Sequence, residues 1–89
     1  MIDERVKRIA DANGWIGILQ KLREELTEAL EAVNEYDSGT EEEEQHLVEE
    51  LTDVAIVTEE FAIKFRRQAD FDRWREFKLE RTMERLGLK

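Results

Sequence analysis

The chain contains no proline and only four glycines, so very little in it can interrupt a helix. The breaks that do occur fall at Asn13-Gly14, at Asp37-Ser38-Gly39 and at Gly87, residues that tolerate left-handed or turn conformations. They divide the sequence into four predicted helical segments, spanning roughly 3–12, 15–36, 40–68 and 71–86. No strand signal competes with them. The expected fold class is all-α, a helical bundle of about four helices per chain completed by dimerisation. Residues 1–89 are read as a single domain.

The apolar residues follow the helical period. In the second segment Trp15, Ile18, Leu19, Leu22, Leu26, Ala29, Leu30 and Val33 form one stripe. In the third the stripe is Leu47, Val48, Leu51, Val54, Ala55, Thr58, Phe61, Ala62 and Phe65. Ile56 and Ile63 lie roughly opposite that stripe, which predicts a second buried face and contact with another subunit. Thr40 and Glu43 fit a capping box at the start of this segment, and Asp70 is placed to cap the fourth. A chain this short buries a modest core, and a second copy is the natural remedy.

Charge narrows the function. Fourteen basic residues against 23 acidic ones give a net charge of −9, which repels a nucleic-acid polymer at long range. There is no cysteine, excluding disulfides and thiolate metal sites. No apolar run suggests a membrane span or a signal peptide, and Met1 to Arg5 carry none. The expected location is therefore cytoplasmic.

The acids are placed in a pattern. Glu25 and Glu28 share one helix face, as do Glu50 and Asp53, because residues three apart stack on a helix. If the two long segments form an antiparallel hairpin about Gly39, Glu25 faces Asp53 and Glu28 faces Glu50. Four carboxylates then meet across the hairpin, raising one another's pKa unless a cation intervenes. All-oxygen ligation suits Mg²⁺, or Mn²⁺. Acidic pairs three apart also arise freely in so acidic a chain, and Glu28/Glu31 and Glu41/Glu44 are assigned nothing. Glu43 and His46 form one Glu-x-x-His motif, whereas a di-iron bundle needs two, so His46 is read as a surface residue.

The stretch Lys21-Leu22-Arg23-Glu24-Glu25-Leu26-Thr27-Glu28, followed by Glu50-Leu51-Thr52-Asp53-Val54, resembles the signature of the MazG-like nucleotide pyrophosphohydrolases, Glu-Glu-x-x-Glu on one helix and Glu-x-x-Asp on the next. The resemblance covers about Trp15 to Phe65. It implies an all-α enzyme that converts a nucleoside triphosphate and water to the monophosphate and pyrophosphate with Mg²⁺, in a homodimer or homotetramer with sites at helix and subunit junctions. By match, Glu25, Glu28, Glu50 and Asp53 would ligate metal, and Glu24 or Glu25 would accept a proton from water. The segment Lys78 to Arg85 resembles the family's basic region, although Thr82 stands where asparagine is usual.

Beside that resemblance, Trp74, Lys78, Arg81 and Arg85 share one stripe of the last segment. They suit base stacking and phosphate contact, and equally suit a core tryptophan and a helix C-terminus favoured by cations. Lys21 is either a phosphate contact or a partner of Glu25. Two other functions fit the composition. One is a phosphoribosyl-ATP pyrophosphatase-like enzyme, though no histidine follows Asp53 as that family would have it. The other is a non-enzymatic acidic helical interaction module.

Overall fold

A computed structural model describes residues 1–88; Lys89, the last residue of the expected domain, lies outside the described residues. Three helices follow one another: α1 Glu4–Glu35, α2 Glu41–Lys64 and α3 Gln68–Arg85. No strand occurs among the described residues. The first two predicted segments are two helical stretches within α1, separated at the predicted break by a non-helical Gly14. Gly14 takes φ 71° and ψ 173°, a conformation costly for any other residue, while the backbone on either side stays helical.

The break between α1 and α2 is built by the residues the sequence singles out. Thr40 Oγ1 accepts from the Glu43 N–H at 3.2 Å, and Glu43 Oε1 accepts from the Thr40 N–H at 3.0 Å. The same glutamate accepts from the N–H groups of Asp37 and Ser38, so one side chain fixes both the turn and the start of α2. Gly39 has φ 72°, and a Cβ there would come 3.1 Å from the Tyr36 hydroxyl. Thr40→Ala is expected to cost about 1 kcal/mol, lowering Tm by roughly 4–8 °C for a domain of this size. A thermal melt checks this, and an unchanged Tm would contradict the capping account.

α1 and α2 pack as an antiparallel hairpin. The less exposed positions alternate in steps of three and four: Ile18, Leu22, Glu25, Ala29 and Ala32 on α1, and Leu47, Glu50, Val54, Val57 and Phe61 on α2. That spacing is the seam of a two-helix coil. Ile18, Ala10 and Val57 form its fully covered centre, with Leu22 and Phe61 packed against it. The first arm of α1 is tied down at the far end. Asn13 Nδ2 donates to the buried Glu60 carboxylate at 2.8 Å, and Lys64 reaches Asp11 at 3.1 Å.

Two expectations need correction. The broad apolar stripes are not one core, because Leu19, Leu26, Leu30, Val33, Val48 and Leu51 are all exposed. Each stripe is wide enough to face two neighbours, and within the chain it meets only one. Asp70 does not cap the last helix. Arg67 occupies the N-cap position without a side-chain cap, and Asp70 sits in the first turn, paired with Arg67 and Arg73 at 3.0 Å each.

α3 touches α2 and not α1. Its contact is aromatic: Phe71 meets Phe61 edge-on at 6.1 Å, and Phe61 stacks on Phe65 at 4.2 Å. No residue of α3 is buried. No helix of the described residues is long and apolar enough to cross a membrane.

Candidate metal centre

Two seam positions of the hairpin hold glutamates where a coil would place leucines. Glu25 is only 9 % exposed, and Glu50 is half-buried on the facing helix. Glu28 and Asp53, three residues along each helix, lie one step out of the seam on the same side. An antiparallel pair reverses the sense of helical rotation, so the positions just before each seam residue share one face of the hairpin. Glu28 and Asp53 are such positions, and so are Lys21, Glu24, His46 and Glu49. One side of the hairpin is thus an acidic face, with the glutamates of the seam at its floor.

The hairpin brings three of the four expected acids together, at a register slightly offset from one centred on Gly39, since Asp11 meets Lys64 and Asn13 meets Glu60. Glu25, Glu28 and Glu50 each bring a carboxylate oxygen within 4.8 Å of the others, and Asp53 is close enough to act electrostatically on both Glu25 and Glu50. The second oxygens of Glu25 and Glu50 are buried and have no hydrogen-bond donor. A buried carboxylate oxygen without a donor loses its hydration with nothing in return. A divalent cation is the group that would satisfy both at once, and the all-carboxylate donor set fits Mg²⁺ or Mn²⁺.

The rim carries two nitrogen bases. Lys21 Nζ lies 3.9 Å from Glu25 Oε1 and His46 Nδ1 lies 4.0 Å from Glu50 Oε1. His46, read from sequence as a plain surface residue, therefore stands at the edge of the cluster, one helical turn before Glu50. That i, i+4 spacing was the available signal. Glu24 is exposed and shares a shallow groove with Arg23, Thr27, Glu28 and Glu31.

The basic candidates on α3 are elsewhere. Lys78 and Trp74 line an open groove with Phe61, Arg67, Phe71 and Arg75, and Arg81 lies over the Phe77 ring at 5.5 Å. Arg85 is in the last turn of α3. Phe61, where that groove begins, is roughly 16 Å along the α2 axis from Glu50 at 1.5 Å per residue. Within one chain, then, Trp74, Lys78, Arg81 and Arg85 do not join the carboxylates, whereas Lys21 does.

No protein-family model, curated protein or solved structure matches the chain. The chemistry of the site rests on its own geometry.

Burial, and after it the charges of Glu28 and Asp53, push the Glu25 carboxyl above its ordinary value, against the pull of Lys21. Burial and then Glu28 do the same at Glu50, opposed by His46. Such carboxyls bind protons more readily folded than unfolded. Their contribution is fully present below the ordinary value of 4.5 and lost as pH rises through the raised folded value. Groups shifted the other way, Glu43 by backbone N–H bonds and Asp11 by its lysines, lose their contribution only as pH falls through their lowered values. In chelator, Glu25 and Glu50 are therefore expected to raise Tm as pH is lowered from neutrality toward 4.5, and saturating Mg²⁺ is expected to flatten that rise. A chelated protein whose Tm falls steadily over this interval would contradict the clustered-acid account.

Proposed function

We propose that the chain is a Mg²⁺-dependent nucleoside triphosphate pyrophosphohydrolase of the MazG-like kind, releasing a nucleoside monophosphate and pyrophosphate, and acting in housecleaning of the nucleotide pool. The observation that carries this reading is the meeting of Glu25, Glu28 and Glu50, with Asp53 beside them, around two buried oxygens that lack donors. An acidic face repels a polyphosphate by itself, so phosphate could bind there only with intervening cations. The spacing of these acids in sequence, which resembles the family signature, supports the same reading.

In this proposal Glu25, Glu28, Glu50 and Asp53 hold the cation, Mg²⁺ or Mn²⁺. When bound, it would neutralise the cluster, polarise the phosphate oxygens and acidify a water. Glu25 or the more exposed Glu24 accepts the proton of the attacking water, which adds to the α-phosphorus as the bond to the bridging oxygen of the β-phosphate breaks. Lys21, at the rim, offsets charge on the departing pyrophosphate. Lys78, Arg81, Arg85 and Trp74 bind substrate in this reading only through α3 of a neighbouring copy, since within one chain they lie apart from the acids. Self-association as a homodimer or homotetramer belongs to the proposal.

The test is pyrophosphate release from a panel of canonical and modified nucleoside triphosphates, in Mg²⁺ and in chelator. The expected result is metal-dependent release from at least one substrate, with the monophosphate as co-product. Orthophosphate and a diphosphate as the only products, or silence across the panel from folded, metal-loaded protein, would refute the reading.

A further inference from the structure

The single histidine of the chain, His46, takes no part in the proposed hydrolysis. It stands one turn before Glu50 on α2, on the face that carries Glu28, Asp53 and Glu49. Its Nδ1 lies 4.0 Å from Glu50 Oε1. That is too long for a hydrogen bond, which needs about 2.7–3.2 Å. It is within the span of two donors on one divalent ion, because bonds of about 2.1 Å to each reach across as much as ~4.2 Å.

The surroundings of His46 leave it available. Glu43, the other half of the Glu-x-x-His spacing, is committed to the N–H groups of Asp37, Ser38 and Thr40. Toward the cluster, the i, i+4 spacing sets His46 and Glu50 on one stripe of α2, an arrangement from which two side chains of a single helix can chelate one ion. The imidazole is half exposed, so it can turn without unpacking the seam. What it would turn toward is short of partners: Glu50 Oε2 is buried without a donor, and so is Oε2 of Glu25, a residue only 9 % exposed.

Donor type decides which ion such a set prefers. Mg²⁺ is a hard ion held through oxygen. Imidazole nitrogen suits Fe²⁺, Ni²⁺ and Zn²⁺, and affinity for mixed nitrogen and oxygen sites rises along the first row from Mn²⁺ to Cu²⁺. Glu25, Glu28 and Glu50 gather without the histidine and match Mg²⁺ or Mn²⁺. With one imidazole added they match a later transition ion.

We propose that His46 joins the carboxylate centre as a nitrogen ligand on its Glu50 side, and that the centre thereby holds a later first-row divalent ion, of the class of Fe²⁺, Co²⁺ or Zn²⁺, more tightly than its carboxylates alone would. Mg²⁺ binds the same carboxylates without the imidazole. The proposal rests on the metal centre of the functional reading and not on the hydrolysis.

Calorimetric titration of Co²⁺ and of Mg²⁺ into the chelator-treated full chain tests it, with His46→Gln and Glu50→Gln beside the wild type. His46→Gln is expected to weaken Co²⁺ at least ~10-fold while leaving Mg²⁺ within about twofold, whereas Glu50→Gln weakens both ions. Equal losses of the two ions in His46→Gln, or no loss of Co²⁺, would overturn the proposal. So would a Co²⁺ site that depends on His46 and survives Glu50→Gln, since that is a lone surface imidazole. Because the chain has one histidine, acylation of imidazole by diethyl pyrocarbonate reports on His46 directly. Saturating Co²⁺ is expected to protect it and saturating Mg²⁺ is not; equal protection by both ions, or by neither, contradicts ligation. Loss of Mg²⁺ binding in Glu50→Gln with Co²⁺ binding unchanged in His46→Gln leaves the metal centre standing and removes this inference alone. A wild type that binds neither ion removes both.

Discussion

Glu50→Gln is expected to lower Mg²⁺-dependent turnover by at least ~100-fold, a rise of about 2.7 kcal/mol in the barrier, while leaving the metal-free protein as stable as the wild type or more so. The two halves of this result have one cause. Glu50 stands at a seam position of α2, within reach of Glu25 and Glu28, where burial and neighbouring charge penalise its ionised form. Glutamine keeps the shape and removes the charge, so the folded apo state loses repulsion. The same change removes a ligand of the proposed cation, and with it the means to hold a triphosphate against an acidic face. A purely structural role for Glu50 would move both quantities the same way, downward. Turnover within a few-fold of wild type in Glu50→Gln and also in Asp53→Asn would sink the assignment.

Ile18→Ala is expected to remove a large share of the fold's stability. Ile18 is the largest apolar side chain fully covered within the chain, packed with Ala10, Val57, Leu22 and Phe61 where the kinked arm of α1 meets α2. Truncating such a residue costs roughly 2–5 kcal/mol, from lost burial and from the cavity left behind. The whole domain has about 4–13 kcal/mol at ordinary per-residue values, and its covered apolar set is small. Urea unfolding followed by helical circular dichroism checks this. A loss below about 1 kcal/mol would show that the seam around Ile18 is not the stabilising centre.

Much of this hairpin is legible in the residues. The capping box at Thr40 and Glu43 and the turn at Gly39 are local chemistry, and local chemistry survives folding unchanged. Because the turn lies close to Gly39, an antiparallel hairpin brings Glu25, Glu28 and Glu50 near one another, though at a register offset from exact symmetry about Gly39. The kink is harder to read. Asn13-Gly14 signals a stop, and Gly14 does leave the helical conformation, but where the arm before it lies depends on the bond from Asn13 to Glu60, far away in sequence. The stripes mislead for a similar reason. An apolar row shows which side chains avoid water and not which chain covers them, so Leu19 and Leu30 read like Ile18 although only Ile18 is covered here. The finer signal was the alternation of threes and fours through Ile18, Leu22, Glu25, Ala29 and Ala32, which places a glutamate inside the seam. The position of α3 is not legible at all. Its sequence mixes aromatic and charged residues with no single apolar face, and its docking rests on Phe61 and Phe71.

The measurement that bears most directly on the carboxylate cluster is a calorimetric titration of Mg²⁺ into chelator-treated protein, repeated with Mn²⁺ and with Glu50→Gln. Saturable binding to the wild type, abolished or weakened at least tenfold in the variant, is the expected result. An equal heat from both proteins, or none from the wild type at millimolar Mg²⁺, would mean that the four acids of the hairpin do not form a metal centre.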